Sequence, residues 1–335
     1  MSFKQAATDL VRAALDGQMD FFVLRGLDDL AREDGDIDVL VPSGRSGQAL
    51  LRVAERAVDA GWTIAGVGDI GYLTQICLVQ RLGAGQAHRA VKVDFFNGAA
   101  WAAIGADPMG QALFERLNET LSDTEVIGLA TLLQKMLYAG YLSERDRDRI
   151  TAACAPERIS AFLDAIGLPL SRADLDRGRL SRRARWRLRA ASAGVGVARM
   201  PGWGLRVIWR KLYFTLFRST IPGRILQVAG ADSPRRAAIT GRFRSLLERA
   251  GFPNSLVMPE TDADLVSLAW RKFRGETVVL YAESAGSTPT RAAWLEPVLQ
   301  VKIQQRDADG GDDLERVLTV VSQHILETLR RTVTS

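Results

Sequence analysis

The sequence predicts an α/β protein with two sheet-forming regions and a helical stretch between them. Apolar runs of strand length alternate with stretches at helical spacing over residues 4–98, and the same alternation returns after Gly223. From Leu113 to Gly167 the spacing is helical. A length of 335 residues suits about two domains, and an apolar content of 47% is ample for their cores.

In chain order, residues 4–17 read as an amphipathic helix. "DFFVLRG" (20–26) reads as a buried strand and a turn at Gly26, and "LDDLAREDG" as a charged loop. "DIDVLVP" is a second strand, stopped by Pro42. A helix follows, with Ser43 as its expected cap and Gly61 as its end. "WTIAGVGDIG", "YLTQICLVQRL" and "RAVKVDFFNG" (89–98) read as three more strands. "DTEVIGLATLLQKMLYAGYL", "SERDRDRITAAC" and "PERISAFLDAIG" are helical. In the last third, "RILQVAGAD", "ETVVLYAES" and "EPVLQVKIQ" are strands. "SPRRAAITGRFRSLLERAG" is a helix with Pro234 in its first turn, and "DDLERVLTVVSQHILETLRR" is a terminal helix. The expected divisions are 1–112, 113–170, 171–222 and 223–335.

Several classes of chemistry drop out early. No apolar run reaches the ~18 residues of a membrane span. The N-terminus lacks a basic-then-apolar signal layout, so the expected location is cytoplasmic. Cys77 and Cys154 form neither a disulfide framework nor a zinc pattern. With only His88 and His324 as imidazoles, any metal is expected to be a hard one held by carboxylate oxygens.

The net charge of +5 is unevenly distributed. Residues 171–224 hold thirteen Arg and one Lys against two Asp, a net of +12, which leaves −7 for the remainder. Within this stretch, "WGLRVIWRKLYFTLF" (203–217) interleaves Trp203, Trp209, Tyr213, Phe214 and Phe217 with Arg206, Arg210 and Lys211. Three roles fit that pattern. The aromatic side packs on an adjoining domain, or the segment meets an anionic membrane surface, or, less favoured, it grips nucleic acid.

The chemistry concentrates in "DGDIDVLVP". Asp36 and Asp38 are two residues apart on a strand, so both point to one face. Like charges so placed belong either on a wet strand end or around a cation. Asp94, in "VKVDFF", is a third carboxylate on another strand. Lys92 shares its face and is a ready ion-pair partner for it. Three carboxylates on rigid strands are a ligand set for Mg²⁺, which polarises a phosphate and orients an attacking hydroxyl. The turn Arg25-Gly26 offers backbone N–H groups to a phosphate.

The order "FVLRG … GDIDVLV … VKVDFF" resembles the nucleotidyltransferase superfamily, the polymerase-β-like fold. The resemblance implies that Asp36 and Asp38 are the metal-binding pair, and that Asp94 completes the site and acts as general base. It also implies that Gly26 and Arg25 hold the phosphates of a nucleoside triphosphate. Leu27 stands where that family usually has Ser or a second Gly. In the last third, "ILQVAGADSPRRAAIT" stands where a P-loop, G-x-x-x-x-G-K-[ST], would lie. Gly230 is in place, but Arg235, Arg236 and Ala237 replace the second Gly, the Lys and the hydroxyl residue. This region resembles a thymidylate-kinase-like domain without a working motif, so no ATP turnover is expected from it. An anion is still expected to dock at the helix N-terminus beside Arg235 and Arg236.

Together the two resemblances suggest a bacterial family associated with capsular and extracellular polysaccharide synthesis. The implied function is Mg²⁺-dependent nucleotidyl transfer to a glycan or lipid-linked acceptor. The alternative is a non-catalytic nucleotide-binding scaffold or regulator, cytoplasmic and peripheral to the inner membrane.

Overall fold

In the computed structural model the described residues are 2–24, 36–69, 73–81, 88–98, 113–118, 121–136, 140–167, 170, 172–187, 190–191, 205, 208–209, 212, 224–229, 233–252, 255–259, 264–273, 277–281, 298–302 and 313–334. They form an α/β structure with two sheets.

The first sheet comprises β1 (Phe22–Val23), β2 (Ile37–Val41), β3 (Thr63–Asp69), β4 (Leu73–Arg81) and β5 (His88–Asn97), in the order β1-β2-β5-β4-β3. Only the β2–β5 pair is parallel; the others are antiparallel. β1 is shorter than the apolar run around it, and the ladder continues one bond further, from Leu24 N–H to the Asp38 carbonyl. Before β1 runs α1 (Phe3–Leu15), where Ser2 Oγ accepts the Gln5 N–H at 3.1 Å as a cap.

α2 (Ser46–Asp59) follows β2 and starts later than expected. Ser43 does not cap it; Arg45 occupies the N-cap position without a side-chain bond. The cause is a turn, in which Arg45 N–H bonds the Pro42 carbonyl and Gly44 takes a φ of +81°. Gly44 N–H donates to Asn97 Oδ1 at 2.6 Å, which ties this turn to the end of β5.

The middle of the chain is helical, as expected. α3 (Asp123–Gln134), α4 (Glu144–Ala153), α5 (Pro156–Ala165) and α6 (Arg172–Arg177) follow one another. α3 and α4 each begin with a full capping box, Ser122 with Glu125 and Ser143 with Asp146.

The second sheet is wholly parallel, in the order β7-β8-β6-β9: β6 (Arg224–Ala229), β7 (Ser255–Pro259), β8 (Thr277–Tyr281) and β9 (Val298–Lys302). α7 (Ser233–Arg249) links β6 to β7, and α8 (Leu265–Phe273) lies between β7 and β8. β7 and α8 are two elements that the sequence reading passes over. α9 (Asp313–Thr334) closes the chain.

The two sheets share one core. A single hydrophobic cluster contains Val39, Val93 and Ile64 of the first sheet, Leu226 and Val228 of β6, Phe243 and Leu247 of α7, and Leu318 and Ile325 of α9. α9 also runs beside β3, the last strand of the first sheet, where Ile64 N–H donates to Ser322 Oγ at 3.0 Å. An edge strand is thereby covered by a helix. A second cluster joins Leu24, Leu40, Leu73 and Phe96 of the first sheet to Leu117, Leu129, Leu133 and Phe162 of the helical middle.

Candidate functional site

Strand pairing decides which side chains meet on the first sheet. In the parallel ladder Asp38 is opposite Asp94, and Ile37 is opposite Val93, so Asp36 falls beside Lys92. Across the antiparallel pairs, Gln75 is opposite Asp94 and Gly68, while Cys77 is opposite Lys92 and Gly66. Paired residues share a sheet face. Two rows result on one face: Gly68, Gln75, Asp94 and Asp38; and Gly66, Cys77, Lys92 and Asp36.

Each carboxylate of Asp36, Asp38 and Asp94 offers one oxygen within 4.8 Å of the others. The three expected metal ligands therefore converge, and the donor set suits a hard divalent ion. Asp38 and Asp94 are buried, whereas the Asp36 side chain is 41% exposed, so the open side of the cluster is at Asp36.

Lys92 reaches into the same cluster. Its Nζ is 3.0 Å from Asp36 Oδ2 and 3.1 Å from Asp94 Oδ2. The ion pair with Asp94 anticipated from the shared face is present, and Asp36 is added to it. Gln75 Nε2 donates to Asp94 Oδ1 at 3.0 Å, a partner the sequence reading missed. The signal was available in β4, whose alternation places Gln75 and Cys77 on one face.

The electrostatics follow from burial and crowding. Burial pushes the Asp94 carboxyl up to about 6; Lys92 opposes the rise, and Asp38 and Asp36 add to it. For Lys92 burial works against the charged form, but Asp94 and Asp36 outweigh it and hold the ammonium above its usual value. Cys77, buried beside Lys92 on the neighbouring strand, has its thiol pushed up to about 12 by burial, with Lys92 acting against the rise.

The second half of the chain borders the cluster. Gly251, two residues beyond the end of α7, has φ +70°, and a methyl group placed there would lie 3.7 Å from Asp36 Oδ1 and 3.8 Å from Lys92 Cε. Phe252 lies over the bare backbone of β3. A methyl at Gly66 would come 3.1 Å from its ring, and one at Gly68 3.6 Å. At the other end of the same face, Leu40, Leu73 and Phe96 pack against the helical middle. The carboxylates thus lie between two packed flanks.

Arg25 and Gly26, the expected phosphate contacts, lie outside the described residues, as does Gly230. Arg235 is turned to the terminal helix, with Nε at 2.7 Å and a second guanidinium nitrogen at 2.6 Å from Asp313 Oδ2. Arg236 is buried, 1% exposed. An anion at the start of α7 would meet an arginine already paired to a carboxylate and another inside the core.

The fold and site define an α/β chain carrying a three-carboxylate cluster bridged by a lysine. Compared with protein-family models, curated proteins and solved structures, the chain matches none.

Proposed function

We propose that the cluster of Asp36, Asp38 and Asp94 is a divalent-metal site for nucleotidyl transfer. The observation that supports this reading is the convergence of the three carboxylates, on adjacent strands, within 4.8 Å. A bound Mg²⁺ supplies charge neutralisation at a phosphate and orientation of the attacking hydroxyl. This chain's own residues do the rest. Asp36 and Asp38 hold the ion from the β2 side, and Asp94 closes the ligand set from β5. Asp94 also accepts the proton of the acceptor hydroxyl, and Gln75 fixes its carboxylate plane through the bond to Oδ1. Arg25 and Gly26 hold the nucleotide phosphates. The acceptor is a hydroxyl or phosphate of a cell-surface glycan or its lipid-linked precursor, as the resemblance in sequence implies.

A second reading is favoured by Lys92. Its ammonium bridges Asp36 and Asp94 and already supplies a positive charge to the cluster. On this reading the protein is a nucleotide-binding scaffold or regulator of polysaccharide assembly at the inner membrane, and the cluster is a structural charge network.

Calorimetry with a panel of nucleoside triphosphates, with and without Mg²⁺, separates the two. The catalytic reading expects Mg²⁺-dependent binding that disappears in Asp36→Asn/Asp38→Asn, with pyrophosphate released on incubation with acceptor. Nucleotide binding indifferent to Mg²⁺ and to both substitutions leaves the scaffold. No binding in any condition overturns both.

A further inference from the structure

Four apolar side chains of the basic segment face outward. Leu205 is 76% exposed, Ile208 67%, Trp209 68% and Leu212 50%. All four are helical, and their spacing of i, i+3, i+4 and i+7 aligns them on one side of a helix. A stripe of this kind is normally the side that a helix buries. Upstream, Trp186 is 63% exposed on a further short helical stretch, beside the exposed Arg182, Arg183 and Arg187. Of the five aromatic residues of the basic segment, Trp209 is the one among the described residues, and it is exposed rather than packed on a neighbouring domain.

The charge around the stripe is of one sign. From Arg177 to Arg224 the chain has twelve Arg and one Lys and no acidic residue. A second copy of the segment would meet like charge. Single-stranded nucleic acid binds by stacking bases on aromatic rings, and three of the four stripe residues are aliphatic. An apolar stripe within a wholly cationic sequence matches a surface with negative headgroups above an acyl layer.

We infer that the exposed apolar stripe formed by Leu205, Ile208, Trp209 and Leu212 is a docking surface for anionic membranes. Leu205, Ile208, Trp209 and Leu212 enter the headgroup–acyl boundary, and the surrounding arginines neutralise the headgroups. The stripe alone is short, so attachment is peripheral and reversible and depends on both contributions. This inference stands apart from the carboxylate cluster, since no residue is shared.

The test is co-sedimentation of the full chain with vesicles of phosphatidylcholine alone and of phosphatidylcholine with phosphatidylglycerol. Binding to the anionic vesicles only, weakened by raised salt, is expected. Ile208→Glu/Trp209→Glu is expected to lower that binding by about tenfold or more, by placing charge where the acyl chains lie. Both positions are exposed, so the thermal midpoint and the far-ultraviolet spectrum should stay as in the wild type. Equal binding to both vesicle types, no binding to either, or anionic binding unchanged in the double variant overturns the inference. So does retention of single-stranded RNA by a protein that ignores both vesicles.

Discussion

At the scale of single residues, the cluster sets three carboxylates against one ammonium. Asp94 is buried and has the equally buried Asp38 as its direct neighbour on β2. Its carboxyl is raised from 3.8 to about 6, so the folded state retains a proton that the unfolded chain has already released between those values. Stability therefore falls as pH rises through that window and is level above it, by an amount on the order of 2–3 kcal/mol. Asp94→Asn keeps an oxygen for Gln75 and removes the charge. In metal-free buffer its stability relative to wild type should rise from pH 4 to pH 6 and then hold. A difference that is flat across this range in urea titrations would show Asp94 to be an ordinary carboxylate. Lys92 carries the companion expectation. If its ammonium competes with a divalent ion, Lys92→Met should tighten Mn²⁺ binding by about tenfold, the effect of removing a nearby like charge in a partly buried site. Calorimetry with Mn²⁺ alone reads this without any turnover, and an unchanged affinity would remove Lys92 from the role of competing cation.

Elements show what the sequence can and cannot disclose. The helical middle is legible because its signals are local. Ser122 with Glu125 and Ser143 with Asp146 bracket the helix starts within four residues each, and Pro156 opens α5. Ser122→Ala should cost about 1 kcal/mol in thermal or chemical unfolding, the usual worth of such a cap. β7 and α8 are harder to see. β7 is five residues long and ends in Pro259, and α8 has nine residues. The one strong signal is Asp264, whose Oδ1 accepts the Ser267 N–H at 2.8 Å at the start of α8. Nor could packing distances be read. Gly128 is a mid-helix glycine in α3, a place where alanine normally adds about 1 kcal/mol. Here a methyl would lie 2.9 Å from the Ala153 Cβ of α4. Overpacking should win, so Gly128→Ala is expected to destabilise by about 1 kcal/mol. Gly128→Ala/Ala153→Gly should recover most of it, and a double variant no better than the single would point to some other cause.

For the whole molecule, the part of the site that stayed hidden is the part built from distant segments. That Asp36 shares a face with Asp38, and Lys92 with Asp94, follows from strand alternation alone. That the two pairs stand side by side depends on a parallel register between β2 and β5, whose strands are separated by α2, β3 and β4. The approach of Gly251 and Phe252 depends on the second sheet folding against the first, which no local pattern reports. This joint also bears on how the chain unfolds. Phe252 is buried over Gly66 and Gly68, Ser322 accepts a hydrogen bond from Ile64, and Glu315 is 2.8 Å from His88. The first sheet therefore completes its core only with material from residues after 224. Phe252→Ala should cost about 3–5 kcal/mol, the usual loss for a buried phenylalanine. If the halves are one cooperative unit, hydrogen exchange of β3 and β4 amides should accelerate together with that of β6 and β8 amides. Protection lost only from β6 and β8, with β3 and β4 unchanged, would mean that the first sheet stands alone. The carboxylate cluster would then have to be understood without the α7 end as its wall.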